Sequence, residues 1–272
     1  MHGNSGVLAP WSCDLLTAVA AALWGAVTGA LLPRAAYRFS VPSGQPWRTR
    51  CAGGHPVRGW LGPARCGPCA AAGAPPGSGP GPSYGPGAPA YATVTLLVCA
   101  ALAAATGPRP ELAVWLLLAP AGVLLAAVDL RVRRLPDPLT LPFAGAALVL
   151  LGLAALVPGR GGAWTTALLG TLALGGGYFV LFLVNPAGMG FGDVKLALGA
   201  GAVLGWYGWP VLMLGALAGL LLGALYGGAL VVARRAGRGT AVPYGPFLIA
   251  GALLGVLAGA CRDGRLPLFP SA

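Results

Sequence analysis

The fold class this sequence predicts is all-α, a polytopic bundle crossing a membrane about eight times. Of 272 residues, 57% are hydrophobic and only 8% charged, and the mean hydropathy is +0.77. The apolar residues gather into continuous blocks rather than recurring at amphipathic spacing, and the loops between blocks alternate between basic and nearly uncharged. That combination belongs to a membrane protein and not to a soluble core.

Crossing a hydrocarbon core of about 30 Å takes roughly 20 apolar residues. Candidate spans fall at 15–32, 92–106, 111–128, 139–157, 164–184, 194–208, 209–233 and 244–260. Only Trp206-Tyr207-Gly208-Trp209-Pro210 separates the sixth from the seventh, so the count drops to seven if that break is bridged. The first span has no basic segment before it and a basic loop after it, which reads as a retained anchor and not a cleaved signal.

Net charge is +11, carried by 16 Arg and the single Lys195. Thirteen of these 17 basic residues fall in the loops at 33–91, 129–138, 185–195 and 234–243; Arg109, Arg160, Arg262 and Arg265 lie on the other side. Basic residues collect on the cytoplasmic side of spans. This distribution accounts for the charge without a nucleic-acid partner, and it places the basic loops in the cytoplasm and both termini outside.

Four segments follow along the chain. Residues 1–33 hold the first span, 34–91 a loop, 92–260 a membrane domain and 261–272 a tail. The loop changes character halfway: 34–69 carries Arg, Trp, Cys and His, whereas AAAGAPPGSGPGPSYGPGAPA at 70–90 has too little apolar side chain to pack and reads as a tether. Cys51, His55, Cys66 and Cys69 form C-x3-H-x10-C-x2-C, four side chains of the kind that hold tetrahedral zinc, and a reducing cytoplasm disfavours disulfides. A metal-free loop is the alternative. Cys13, Cys99 and Cys261, in or beside spans, read as packing residues.

Acids are scarce: Asp14, Glu111, Asp129, Asp137, Asp193 and Asp263. A carboxylate at a span boundary is costly and needs a reason. Asp129 closes the third span in LLAAVDLRVRRLPDPLTLP and Asp193 opens the sixth in GMGFGDVKLALGAGAVLGW, at the same face and nearly the same depth. Two carboxylates so placed can divide the work of hydrolysis, one as general base on water and one as acid. The glycines at 188, 190 and 192 suit close approach of an extended peptide. The bland alternative is two interfacial acids neutralised by Arg131 or Lys195.

GMGFGDVKLALGAGAVLGW resembles the G-x-G-D segment of the type IV prepilin peptidases, membrane aspartic peptidases that remove prepilin leaders. A bare G-x-G-D specifies little, but three other stretches agree with it in order. Ala36-Tyr37-Arg38 follows the first span, Asp129 precedes a Pro-Asp by eight residues, and VPYGPFL at 242–248 is similar to the family's I-P-F-G-P-F-L. The resemblance implies that Asp129 and Asp193 are the catalytic pair, and Gly190 and Gly192 the motif glycines. Asp137 and Lys195 would support them, and Pro243, Gly245 and Pro246 would form a structural break. It also implies prepilin-like substrates, linked to type IV pili and protein secretion, a multi-pass place in the bacterial cytoplasmic membrane with the active site facing the cytoplasm, and no cofactor for the peptidase.

Full-length members usually carry two C-x2-C pairs in the first loop. This chain keeps the second pair and has His55 near the place of a missing cysteine. That loop accompanies a second activity in the family, N-methylation by S-adenosylmethionine, which the resemblance implies and the eroded loop weakens. Competing readings are a non-enzymatic transporter or secretion-assembly component using the acids for proton transfer, and a G-x-G-D protease cutting within a transmembrane helix. The sequence carries no signal for oligomeric state.

Overall fold

In hydrocarbon every backbone N–H and C=O must be satisfied within the chain, so long apolar runs become helices. The structure, a computed structural model, describes residues 10–42, 44–71, 83–85, 87–186, 189–233 and 243–262. Most of the tether expected over 70–90, Gly188, most of the 234–243 loop and nearly all of the tail lie outside the described residues. Among the described residues there are nine helices and no strands: α1 (Pro10–Phe39), α2 (Gly67–Ala71), α3 (Ala88–Thr106), α4 (Glu111–Val132), α5 (Asp137–Ala154), α6 (Trp164–Val184), α7 (Phe191–Gly205), α8 (Trp209–Val232) and α9 (Gly245–Arg262).

All but the five-residue α2 coincide with the eight apolar runs. Six, namely α1, α3, α4, α5, α6 and α8, are long and apolar enough to cross a membrane. α7, with 15 residues, reaches only about 22 Å at the α-helical rise. The break between α7 and α8 is real and keeps them separate helices: Gly208 sits at φ 92°, where side chains are disfavoured, and Pro210 lies in the first turn of the next helix. α1 extends well beyond the expected 15–32, so Ala36, Tyr37 and Arg38 form its last turns and do not follow it. Pro33 is accommodated within this helix, and Arg34 and Arg38 bond to loop carbonyls beside it.

α4 occupies the centre. Half of its span window, 50%, is buried against 17% for α8, and it touches α1, α3, α5 and α9. α1 packs along α3, α6 along α7, and α8 along α9, while α7 also contacts α5 and α9. At the α6–α7 crossing a Cβ on Gly201 would collide with the Gly170 carbonyl, so the two backbones meet directly. Van der Waals packing of this kind, rather than hydrophobicity, associates helices in lipid. Leu125, Leu196, Leu204, Leu212 and Leu248 fill the core between α4, α7, α8 and α9. Leucines and valines such as Leu23, Leu97, Leu172 and Leu225 stand exposed around the perimeter, as a lipid-facing surface requires.

Successive antiparallel spans bring the ends of α1, α4, α6 and α8 and the starts of α3, α5, α7 and α9 to one face, which also carries the Cys/His loop. On the opposite face Glu111 is fully buried; its Oε1 accepts the Gly161 N–H at 3.0 Å and lies 3.7 Å from Arg109 Nη1.

Candidate functional site

Two features share the loop face: a cleft holding both buried aspartates, and the cysteine loop beside it.

Asp129 lies in the last turn of α4, one turn before the helix ends at Arg133. Arg133 takes a left-handed conformation at φ 50° and donates its N–H to the Asp129 carbonyl at 2.7 Å. This cap turns the chain sharply. Leu135 and Pro136 then carry it extended into α5, because a residue before proline is held out of the helical region. Asp193 lies in the first turn of α7, and its N–H donates to the Gly190 carbonyl at 3.0 Å. Both aspartates are buried, at 4% and 7% exposure, and both line one cleft of about 450 Å³ with Arg133, Arg134, Leu135, Asp137, Gly190, Phe191, Gly192 and Lys195. Neither Arg131 nor Lys195 forms an ion pair with either aspartate among the described residues; Lys195 Nζ instead meets Asp137 Oδ1 at 2.7 Å at the cleft mouth.

The motif glycines have separate structural roles. A Cβ on Gly192 would sit 2.9 Å from Leu135 Cβ, so its absence lets the start of α7 close against the α4–α5 turn. A Cβ on Gly190 would meet the Asp193 carboxylate at 3.5 Å and the Gly192 nitrogen at 3.9 Å, both ordinary contacts, and Gly190 lines the cleft.

Sequence reading treated Gly245 as part of a structural break and missed its contact. Its N–H donates to Asp129 Oδ2 at 3.0 Å, and a Cβ there would stand 2.8 Å from the same oxygen. The N-terminus of α9 therefore points at Asp129, and helix N-termini favour anionic groups. The VPYGPFL motif was the available signal. Behind this contact Tyr178 of α6 donates its hydroxyl to that of Tyr244 at 3.0 Å. Arg133 and Arg134, which line the cleft wall, also escaped the sequence reading.

The four loop residues come together as the spacing suggested. A tight turn closed by Gly54 N–H to Cys51 C=O (3.0 Å) and Cys51 N–H to His55 C=O (2.9 Å) folds His55 back onto Cys51. Cys66 and Cys69 flank the first turn of α2. Cys51 Sγ is 3.7 Å from Cys66 Sγ and from Cys69 Sγ, and His55 Nδ1 is 3.2 to 3.7 Å from the three sulfurs. A tetrahedral ion with bonds of about 2.3 Å to sulfur and about 2.0 Å to nitrogen requires sulfur–sulfur edges of about 3.8 Å and slightly shorter sulfur–nitrogen ones. The donor set fits such an ion. Burial pushes the Cys51 thiol up, but hydrogen bonds from His55 and Cys66 and from backbone amides outweigh it and take it down to about 6. Cys69, hydrogen-bonded to Cys66 and desolvated, is pushed up to about 11.

The end of α1 holds this loop. Arg34 Nη1 donates to the Arg58 carbonyl (2.8 Å), Arg38 Nη1 to Gly59 (2.7 Å) and the Tyr37 hydroxyl to Arg50 (2.9 Å), while the Arg38 guanidinium lies 3.9 Å over the Trp60 ring. Arg134, in the cleft wall, donates to the Pro42 carbonyl at 3.1 Å.

The helical bundle thus sets two buried aspartates from different helix ends into one polar cleft. Residues 113–228 match the model of the type IV leader peptidase family, a stretch that contains both aspartates. The chain is 36% identical over 135 residues to the prepilin leader peptidase/N-methyltransferase of Aeromonas salmonicida (strain A449), covering 49% of this chain and 43% of that protein. It is 34% identical over 161 residues to the Aeromonas hydrophila protein of the same name (59% and 54% covered) and 38% over 135 residues to that of Pseudomonas putida (49% and 44%). It spans about half the length of the curated relatives it matches. No solved structure matches it.

Proposed function

We propose that this chain is a membrane aspartic endopeptidase that removes leader peptides from prepilin-like precursors at the cytoplasmic face of the bacterial plasma membrane. The observation that carries this reading is the shared cleft of Asp129 and Asp193, buried at the end of two apolar helices and open to the face where the basic loops gather. One carboxylate takes a proton from a water as that water attacks, while the other gives its own proton to the scissile carbonyl; as the gem-diol collapses, the first passes its proton to the departing amine and the second recovers one from a diol hydroxyl. Gly245 N–H holds Asp129 in place, the bare backbone at Gly190 admits an extended peptide, Gly192 lets the start of α7 pack on Leu135, and Asp137 and Lys195 brace the mouth. A leader in the cytoplasm joined to an apolar helix in the bilayer would present its junction at this depth.

The Cys51, His55, Cys66 and Cys69 site is proposed to hold zinc in a structural role, since all four positions are filled by protein and none is left for a substrate. The relatives' names add N-methylation, for which S-adenosylmethionine would be the donor. Mass spectrometry of a co-expressed precursor's mature N-terminus tests the peptidase and reports any methyl group. Uncleaved precursor beside correctly inserted enzyme would refute the reading, as would normal cleavage by Asp129→Asn or Asp193→Asn. Proton flux dependent on Asp193 without cleavage would favour a transporter.

A further inference from the structure

Beneath the aspartates lies a second, apolar cavity of about 110 Å³, lined by residues of α3, α4, α5, α7 and α9, among them Trp115, Gly122, Phe143, Leu196, Ala200 and Ile249. Three of those helices carry the cleft. Leu196 follows Asp193 by three residues, Ile249 follows Gly245 by four and Gly122 precedes Asp129 by seven, which at the helical rise is about 4.5, 6 and 10 Å deeper into the bundle.

Protein interiors are close-packed, and voids in them are destabilising. Gly122 keeps this one open. Glycines such as Gly201 mark direct backbone contact, but a Cβ on buried Gly122 would meet nothing nearer than Ile249 Cγ2 at 3.8 Å. The wall offers no hydrogen bond, since Trp115 Nε1 is already donated to the Tyr207 hydroxyl at 3.3 Å. It lies between five helices, and several lining side chains, Val98, Val123, Phe143, Val203 and Ile249 among them, are only half-buried, so the recess is open toward the surface of the bundle. A void of comparable size in a soluble protein, about 150 Å³, takes a benzene ring, so this one suits a single bulky aliphatic or aromatic side chain.

Resting on the leader-peptidase reading, we propose that this cavity is the specificity pocket for one bulky apolar side chain of the substrate's membrane segment, within about two helical turns after the cleaved bond. A substrate with its scissile bond at Asp129 and Asp193 must continue into the membrane beside α4, α7 and α9, and the cavity is the recess those helices leave along that path.

The test uses full-length enzyme in lipid, a precursor retaining its apolar segment, and the same precursor with the bulky residues of those two turns changed to Ala. Gly122→Leu fills the recess; Gly176→Leu on the exposed side of α6 makes the same exchange away from it. For the intact precursor Gly122→Leu should lower kcat/KM about tenfold or more, the scale of a lost apolar side chain in a pocket, and Gly176→Leu should stay within about twofold. The Ala precursor should suffer a similar loss with unaltered enzyme and no further loss with Gly122→Leu, because both changes remove one interaction. Equal rates of Gly122→Leu and unaltered enzyme on the intact precursor would overturn the proposal, as would multiplying losses or a general defect of Gly122→Leu on both precursors. Failure of the unaltered enzyme to cleave either precursor would instead overturn the peptidase reading.

Discussion

The cleft and the cysteine loop sit on the same face and are built in opposite ways. The loop's four candidate ligands come from 19 residues of chain, Cys51 to Cys69, and two local turns suffice to bring them together. The cleft is assembled from the end of α4, the start of α7 and the start of α9, with Asp129 and its Gly245 partner 116 residues apart. A metal site of this kind tolerates changes elsewhere because its cohesion is local. A carboxylate pair in a membrane depends on the packing of every helix that positions it.

The largest expected effect tests the cleft directly. Asp129→Asn or Asp193→Asn should lower precursor cleavage by about a thousandfold, within the range for loss of a general acid or base, while the zinc content of the purified protein stays unchanged. Loss of metal in either variant would show that the two regions are not independent.

Gly245→Ala comes next. Its Cβ would press on Asp129 Oδ2 from 2.8 Å, and displacing a catalytic group by about an ångström costs on the order of a hundredfold. Single-turnover kinetics should show the loss in kcat rather than KM; an unchanged kcat would remove Gly245 from the positioning machinery.

Cys66→Ser should reverse the pattern. Zinc measured by elemental analysis should fall from one per chain to near zero and the loop should become protease-sensitive, yet cleavage should drop only a few-fold. Between loop and cleft wall runs the Arg134 bond to Pro42 at 3.1 Å, and one such bond contributes about 1 kcal/mol. A collapse of cleavage matching the aspartate variants would mean that the loop props the cleft far more strongly than this contact allows.

Asp137→Asn should be the mildest. Its bond to Lys195 is 2.7 Å, but the Asp137 side chain is 61% exposed, and such surface pairs contribute about 0 to 1 kcal/mol. Rates should stay within about fivefold at that scale and the difference should shrink in high salt; a larger, salt-insensitive loss would place Asp137 in the chemistry.

The same contrast explains what could be read from the chain alone. The apolar runs specify eight apolar helices, six of them long enough to cross a membrane, because hydrocarbon leaves the backbone no alternative, and scarce acids at span ends stand out because burying them is costly. C-x3-H-x10-C-x2-C was legible because its geometry closes within the segment that contains it. Gly245's bond to Asp129, the cleft walls of Arg133 and Arg134, and the void at Gly122 were not, because each depends on how close two distant helices come. That distance is decided by side chains along their whole contact. Composition, scarce acids and local spacing are enough for a helical membrane protein, a pair of acids at one face and a Cys/His set; the convergence of α4, α7 and α9, with Asp129 and Asp193 in one cleft and an apolar recess below it, comes from helix packing that no local pattern encodes.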